Sequence, residues 1–177
     1  MGKYYDEVVR AMRILADHPR TIFLGQSVAY KGNVIYKNLE GLPPEKKMEM
    51  PVFEETQMGM SIGLALGGFI PISVFPRFNF LLLAANQLVN HLDKIPIISK
   101  GTYKPHVIIK TMVGSLRPLH PGVQHMGNFT DAFRLMCDTV VIEDLREPHM
   151  ICPAYEGALQ RGGSTLLIEY GDFYNEK

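Results

Sequence analysis

The chain is poor in cysteine, has no charge imbalance and contains no long apolar run. Its two cysteines, Cys137 and Cys152, stand too far apart for a zinc knuckle. They read as buried, reduced thiols of a cytoplasmic protein. Nothing resembling a signal peptide precedes Tyr4, and no stretch reaches the ~18 apolar residues that a membrane span needs. The 18 basic and 18 acidic residues cancel. No basic block with interleaved aromatics is available to track phosphates, so neither nucleic acid nor membrane is an expected partner. A zero net charge gives little colloidal repulsion and suits a chain covered by other proteins. The Gly-x-Ser-x-Gly elbow, the Walker loop and the Gly-x-Gly-x-x-Gly fingerprint are all missing, and the reaction classes they serve lose weight.

What is present is an ordinary globular composition. With 177 residues, 46% of them hydrophobic, the chain is long enough to bury one core without staples. "YYDEVVRAMRILADHPR" sets Val8, Met12 and Leu15 on one helical side and ends near His18-Pro19. "TIFLG" reads as a buried strand, and Gln26 to Met48 as a long loop with one turn of helix, of the kind that is usually functional. From there extended and helical segments alternate: "MEMPVF", a helix over Thr56 to Leu66, "FIPISVF", a helix in "LLLAANQLVNHLDK", then "HVIIKT". After a proline-rich loop through Pro121 come helix "FTDAFRLMC", strand "TVVIED", helix "PHMICPAYEGALQRG" and strand "STLLIEY". Continuous apolar strands alternating with helices predict a three-layer α/β domain whose mostly parallel sheet has about six strands, covered on both faces. Ligands of such sheets sit outside the carboxyl ends of strands. The turns to inspect are Gly25–Tyr30, Phe53–Glu55, Phe75–Phe80, Ser115–Asn128 and Glu143–Pro148.

Several of these turns carry chemistry-bearing side chains. Glu54 and Glu55 open the helix after "MEMPVF", where either acid complements the positive helix end. Neighbouring residues there point to opposite faces, so only one of the two can look into a given crevice. Gly59, Gly63 and Gly67 line one side of that helix, which calls for close packing against another backbone, within the fold or across a subunit interface. "FPRFNF" reads as aromatic core with a solvated Arg77. A flat aromatic wall beside a carboxylate would also suit a planar heteroaromatic ligand. His120 and His125 share a loop stiffened by Pro118 and Pro121. Their spacing fits a single general acid or base better than a metal pair, and no metal ligand is assigned.

In their order along the chain, "RAMRILADHPRTIFLGQSVA", "PVFEETQMGMSIGLALGGFIPISVFPRFNF", "NQLVN" and "GVQH" resemble the pyrimidine-binding domain of thiamine-diphosphate enzymes. Within the transketolase-like superfamily they look most like the beta subunit of the decarboxylating component of 2-oxoacid dehydrogenases. The resemblance implies a thiamine diphosphate cofactor with magnesium. Counting back from Gly59, Gly63, Gly68 and Pro71, it sets Glu54, not Glu55, on the family's cofactor-activating acid, which shares a proton with the aminopyrimidine ring. It also sets Phe80 on the aromatic that stacks on that ring, Phe78 on its neighbour in the pocket wall, and His125 on the active-site histidine.

Three departures shape the expectation. The turn that usually carries acids in the family reads "GQSVA", so Gln26 stands at a cofactor-side position where an acidic relay would begin. No Gly-Asp-Gly motif with a downstream asparagine is available for magnesium and diphosphate, and "YGDFYN" is not that motif. The chain stops soon after Tyr170, without the family's C-terminal domain, as a single pyrimidine-binding domain over 1–177. The resemblance therefore implies half of a cofactor site, with the other half on a diphosphate-binding alpha-type subunit. Homotypic pairing would then give a heterotetramer that acts on a small 2-oxo acid or ketose. Two rivals remain: transketolase-like two-carbon transfer, and a non-catalytic scaffold subunit.

Overall fold

Six extended runs form six parallel strands in the computed structural model, which describes residues 3–31, 34–116 and 120–175. The strands are β1 (Thr21–Gly25), β2 (Lys47–Glu49), β3 (Ile70–Val74), β4 (Ile108–Val113), β5 (Val141–Asp144) and β6 (Thr165–Tyr170). They lie side by side in the order β2-β1-β3-β4-β6-β5, and every neighbouring pair is parallel. The longer helices are α1 (Lys3–Asp17), α3 (Glu54–Leu66), α6 (Thr130–Met136) and α7 (Pro148–Gln160). Short helices are α2 (Val34–Asn38), α4 (Phe78–Leu81) and α5 (Ile95–Ile98).

Alternation along the strands divides the interior into two cores. On β4, Ile108 and Met112 join Val8, Leu15, Phe23 and Tyr155 on the α1/α7 face. Ile109 and Val113 join Met58, Phe75, Phe78 and Phe133 on the α3/α6 face. Both faces are covered, which is why the strands read as unbroken apolar runs.

The structure differs from the sequence reading in several places. Residues Gln26 to Met48 contain α2, a 3₁₀ turn at Pro44–Lys46 and the start of β2. The helix expected in "LLLAANQLVNHLDK" is broken: α4 gives way to a 3₁₀ turn at Leu82–Ala84 and a π-helical turn at Gln87–Leu92. These changes of pitch keep Leu81, Ala84, Leu88 and Leu92 all in the core. The glycine row is not packed inside the fold, because a Cβ built on Gly59 or Gly63 would meet nothing within 4 Å. That row faces outward beside exposed Met60, Leu66 and Leu83. Pro118, read as stiffening the histidine loop, lies outside the described residues.

Candidate active site

Parallel topology places a crevice at one point of the sheet. β1 has β2 on one side and β3 on the other, so the chain leaves β1 in one direction and returns across it in the opposite one. The carboxyl ends of β1 and β3 are therefore the topological switch point. Gly25 ends β1 with φ +150°, and a Cβ there would lie 2.3 Å from the Val74 carbonyl oxygen. Only glycine lets the two strand ends approach this closely. Just beyond it, Ser27 holds a left-handed φ of 64°. Its conformation is secured by Glu49, whose carboxylate accepts the backbone N–H groups of Ser27 at 2.6 Å and Ala29 at 2.8 Å. Strained backbone held by its surroundings is a mark of functional turns.

Above these strand ends lies a cleft of about 290 Å³, whose wall includes Gln26, Ser27, Pro76, Arg77, Phe80 and Met112. Gln26 and Phe80, nominated separately from the sequence, thus share one wall. Arg77 was read as a solvated arginine, and the structure corrects that. Its Nη1 is buried with no hydrogen-bond partner among the described residues, and burial pushes the guanidinium below its ordinary pKa.

His125 reaches the same place from a distant loop. Its ring lies edge-on to Phe80 with centroids 5.5 Å apart, and its Nδ1 is 3.0 Å from Asn79 Oδ1. This hydrogen bond orients the imidazole, with donor and acceptor roles set by its tautomer. The approach depends on Gly114, directly after β4, where a Cβ would lie 2.2 Å from the His125 carbonyl oxygen.

The two adjacent acids separate. Glu54, the first residue of α3, is only 9% exposed. Among the described residues its carboxyl makes no hydrogen bond or ion pair. Glu55 is exposed and accepts from Asn86 Nδ2 and Gln87 Nε2, each at 3.3 Å. Phe78 lies in the core and does not line the cleft. It is stacked on Phe133 at 5.7 Å and edge-on to Phe129 at 5.5 Å. Among the described residues no three His, Cys, Asp or Glu side chains are grouped to hold a metal, and no helix is long and apolar enough to cross a membrane. Cys152 is buried and Cys137 partly so.

Sequence reasoning missed Glu49 and Gln57. Gln57 Nε2, one helical turn after Glu54, donates to the Val74 carbonyl at 3.0 Å and Ser73 Oγ at 3.1 Å. This clamps the head of α3 to the end of β3 and so sets where Glu54 stands. Its i, i+3 spacing from Glu54 was the available signal. Glu49 gave none, because its partners are 20 and 22 residues away.

A Glu54 carboxyl without a partner and an accessible Phe80 ring fit a heteroaromatic base that needs one acid and one stacking surface. Comparisons with known proteins bear on the sequence and the fold. No protein-family model matches the chain. A pyruvate dehydrogenase E1 component subunit beta from Chaetosphaeridium globosum is 29% identical over 161 residues, which is 89% of this chain and 48% of that protein. The chain spans about half the length of the curated relatives it matches. Among solved structures, a split gene transketolase in an inactive beta4 tetramer superposes with a TM-score of 0.69 at 16% identity, covering 96% of this chain and 50% of that one. The transketolase of Campylobacter jejuni superposes at 0.74 with 14% identity, covering 94% and 25%. In sequence the chain is similar to E1 beta subunits of pyruvate dehydrogenase, and in architecture it has the α/β fold of the transketolase-like proteins.

Proposed function

We propose that this chain is the beta-type, pyrimidine-binding half of a thiamine-diphosphate-dependent enzyme that cleaves or decarboxylates a 2-oxo acid or ketose. The observation that carries this reading is Glu54: the first residue of α3, only 9% exposed, whose carboxyl makes no hydrogen bond or ion pair among the described residues, although Glu54 is not itself among the residues that line the cleft. A carboxyl with no protein partner is available to a ring nitrogen of the cofactor. Phe80 offers the stacking face, and Phe78 backs α4 from the core. His125, held against Phe80 and hydrogen-bonded to Asn79, exchanges protons with substrate. Gln26 lines the same cleft as a neutral hydrogen-bonding group. When bound, thiamine diphosphate supplies an electron sink for breaking the bond next to the carbonyl carbon.

The diphosphate and its magnesium are assigned to an alpha-type partner subunit, with two copies of each chain in a heterotetramer. The outward glycine face of α3, beside exposed Met60 and Leu83, supports pairing with another subunit. A structural neighbour described as an inactive beta4 tetramer of a split transketolase is in keeping with a beta-type chain that is silent alone. It also keeps transketolase-like two-carbon transfer as the second reading. In the scaffold reading, Gln26 and the outward face matter and Glu54 does not.

The test is co-expression with a diphosphate-binding partner, followed by thiamine-diphosphate-dependent turnover of 2-oxo acids. Glu54→Gln should lower kcat about 10²- to 10⁴-fold, the range for a proton-transferring group. Equal rates for wild type and variant would favour the scaffold. The isolated chain should bind the cofactor weakly, since most of its charge lies in the diphosphate.

A further inference from the structure

Among the described residues that line the cleft, Arg77 is the only charged one. Nothing described in the chain neutralises it: Nη1 is buried without an acceptor. Gln26, on the same wall, is a neutral amide where a carboxylate would have closed the charge. A guanidinium held in this way is a fork of donors suited to a planar carboxylate or to phosphate oxygens. Arg77 is partly exposed, and a charge without a protein partner on a cleft wall is available to a ligand.

The identity of that ligand follows from the charges in the proposed site, and the inference rests on that proposal. The pyrimidine ring is uncharged and offers no anion. The diphosphate is assigned to the partner. The carboxylate that departs as CO₂ is a poor candidate, since gripping it stabilises the ground state more than the transition state. We infer that Arg77 recognises a second anionic group, a carboxylate or phosphate at the end of the substrate remote from the reacting carbonyl. Arg77 is then a specificity-determining residue, and the substrate is a 2-oxo acid or ketose with a charged tail.

Two matched substrate pairs test this in the co-expressed complex. One is 2-oxoglutarate against 2-oxobutyrate; the other is fructose 6-phosphate against fructose, with glycolaldehyde as acceptor. Wild type should prefer the charged-tail member of one pair, and which pair it is separates a carboxylate from a phosphate. Arg77→Gln should shrink that kcat/KM preference about 10- to 100-fold, the scale for a lost charge-assisted contact. No preference for a charged tail, or a preference that survives the substitution, would overturn the inference. If the wild type turns over none of the four, the proposed function fails instead. Calorimetry then still decides Arg77: the complex should bind glutarate or inorganic phosphate, and Arg77→Gln should weaken that binding. Thermal unfolding guards against a merely structural role. Arg77→Met should leave the midpoint unchanged or raise it, and a fall of several degrees would mean that Arg77 holds the fold together.

Discussion

Lys110 and Arg77 lie within a few residues of each other across one strand pair, since Lys110 on β4 is in register with Val74 at the end of β3. Both bring a cation into the protein, yet their surroundings are opposite. Lys110 points into the α1/α7 core, is fully buried, and pairs with equally buried Glu169 of β6. That carboxylate also accepts the hydroxyls of Tyr155 and Tyr174, and Asn38 Nδ2 donates to Tyr174 Oη at 3.0 Å. Burial pushes the Lys110 pKa down, opposed by Glu169. Arg77 turns to the cleft and finds no acceptor among the described residues. A buried charge whose neighbours satisfy it belongs to the fold, while one left open at a strand's carboxyl end is available to a ligand.

Breaking the satisfied pair should have the larger effect. Lys110→Met leaves Glu169 buried without its cation and should cost about 3–5 kcal/mol in urea unfolding. Arg77→Met, by contrast, should cost nothing. A small loss at Lys110 would mean that the two sites do not differ as described.

Asp93, between the π-helical turn and α5, extends the comparison to a second satisfied carboxylate. Burial alone would raise its pKa. The backbone N–H of Asp138, the ammonium of Lys94, and the N–H groups of Val140 and Thr139 outweigh that and hold the carboxyl at about 2. The depressed value means that the folded state favours the anion. Its contribution, about 2 kcal/mol for a shift of this size, is fully present above pH 3.8, the ordinary value. It is lost as pH falls through the folded pKa. Unfolding free energy, measured from roughly pH 5 down to about pH 2, should fall in wild type as the pH is lowered. Asp93→Asn should flatten that slope and lower stability at neutral pH.

A smaller loss than at Lys110 is expected at the clamp. Gln57→Leu removes the donor to Val74 and Ser73 and should cost about 1–2 kcal/mol. Turnover in the assembled enzyme should fall further than stability does, because the head of α3 that carries Glu54 loses its tie to the sheet. Equal losses would make Gln57 a plain structural residue.

Much of the fold was legible because apolar runs and helical periods are local. Five of the six strands and the longer helices stand where the runs of Ile, Val, Leu and Phe put them, whereas β2 falls at Lys47–Glu49, ahead of the apolar end of "MEMPVF". The pitch changes after Phe78 were not legible, since they depend on which side of Leu81 to Leu92 the sheet occupies. In the candidate site, Glu54 is buried and Glu55 exposed, a difference that neighbouring positions at a helix start allow, and Gln26 and Phe80 line one cleft. Arg77 was misread because composition cannot tell a solvated guanidinium from one buried without a partner.

The order of residues alone determined a parallel α/β sheet, the acid pair at the head of α3, and the aromatic turn after β3. These follow from periodicity and from neighbours a few positions apart. Only the tertiary structure decided that His125 lies against Phe80, some 45 residues earlier by the separation of its Asn79 contact. The same holds for Glu49 closing the turn at Ser27, and for Gly59 and Gly63 facing outward. It alone completed the Lys110 charge and left that of Arg77 open. Whether a buried charge is satisfied depends on atoms from several strands and helices at once, and such a sum exists only after the chain has folded.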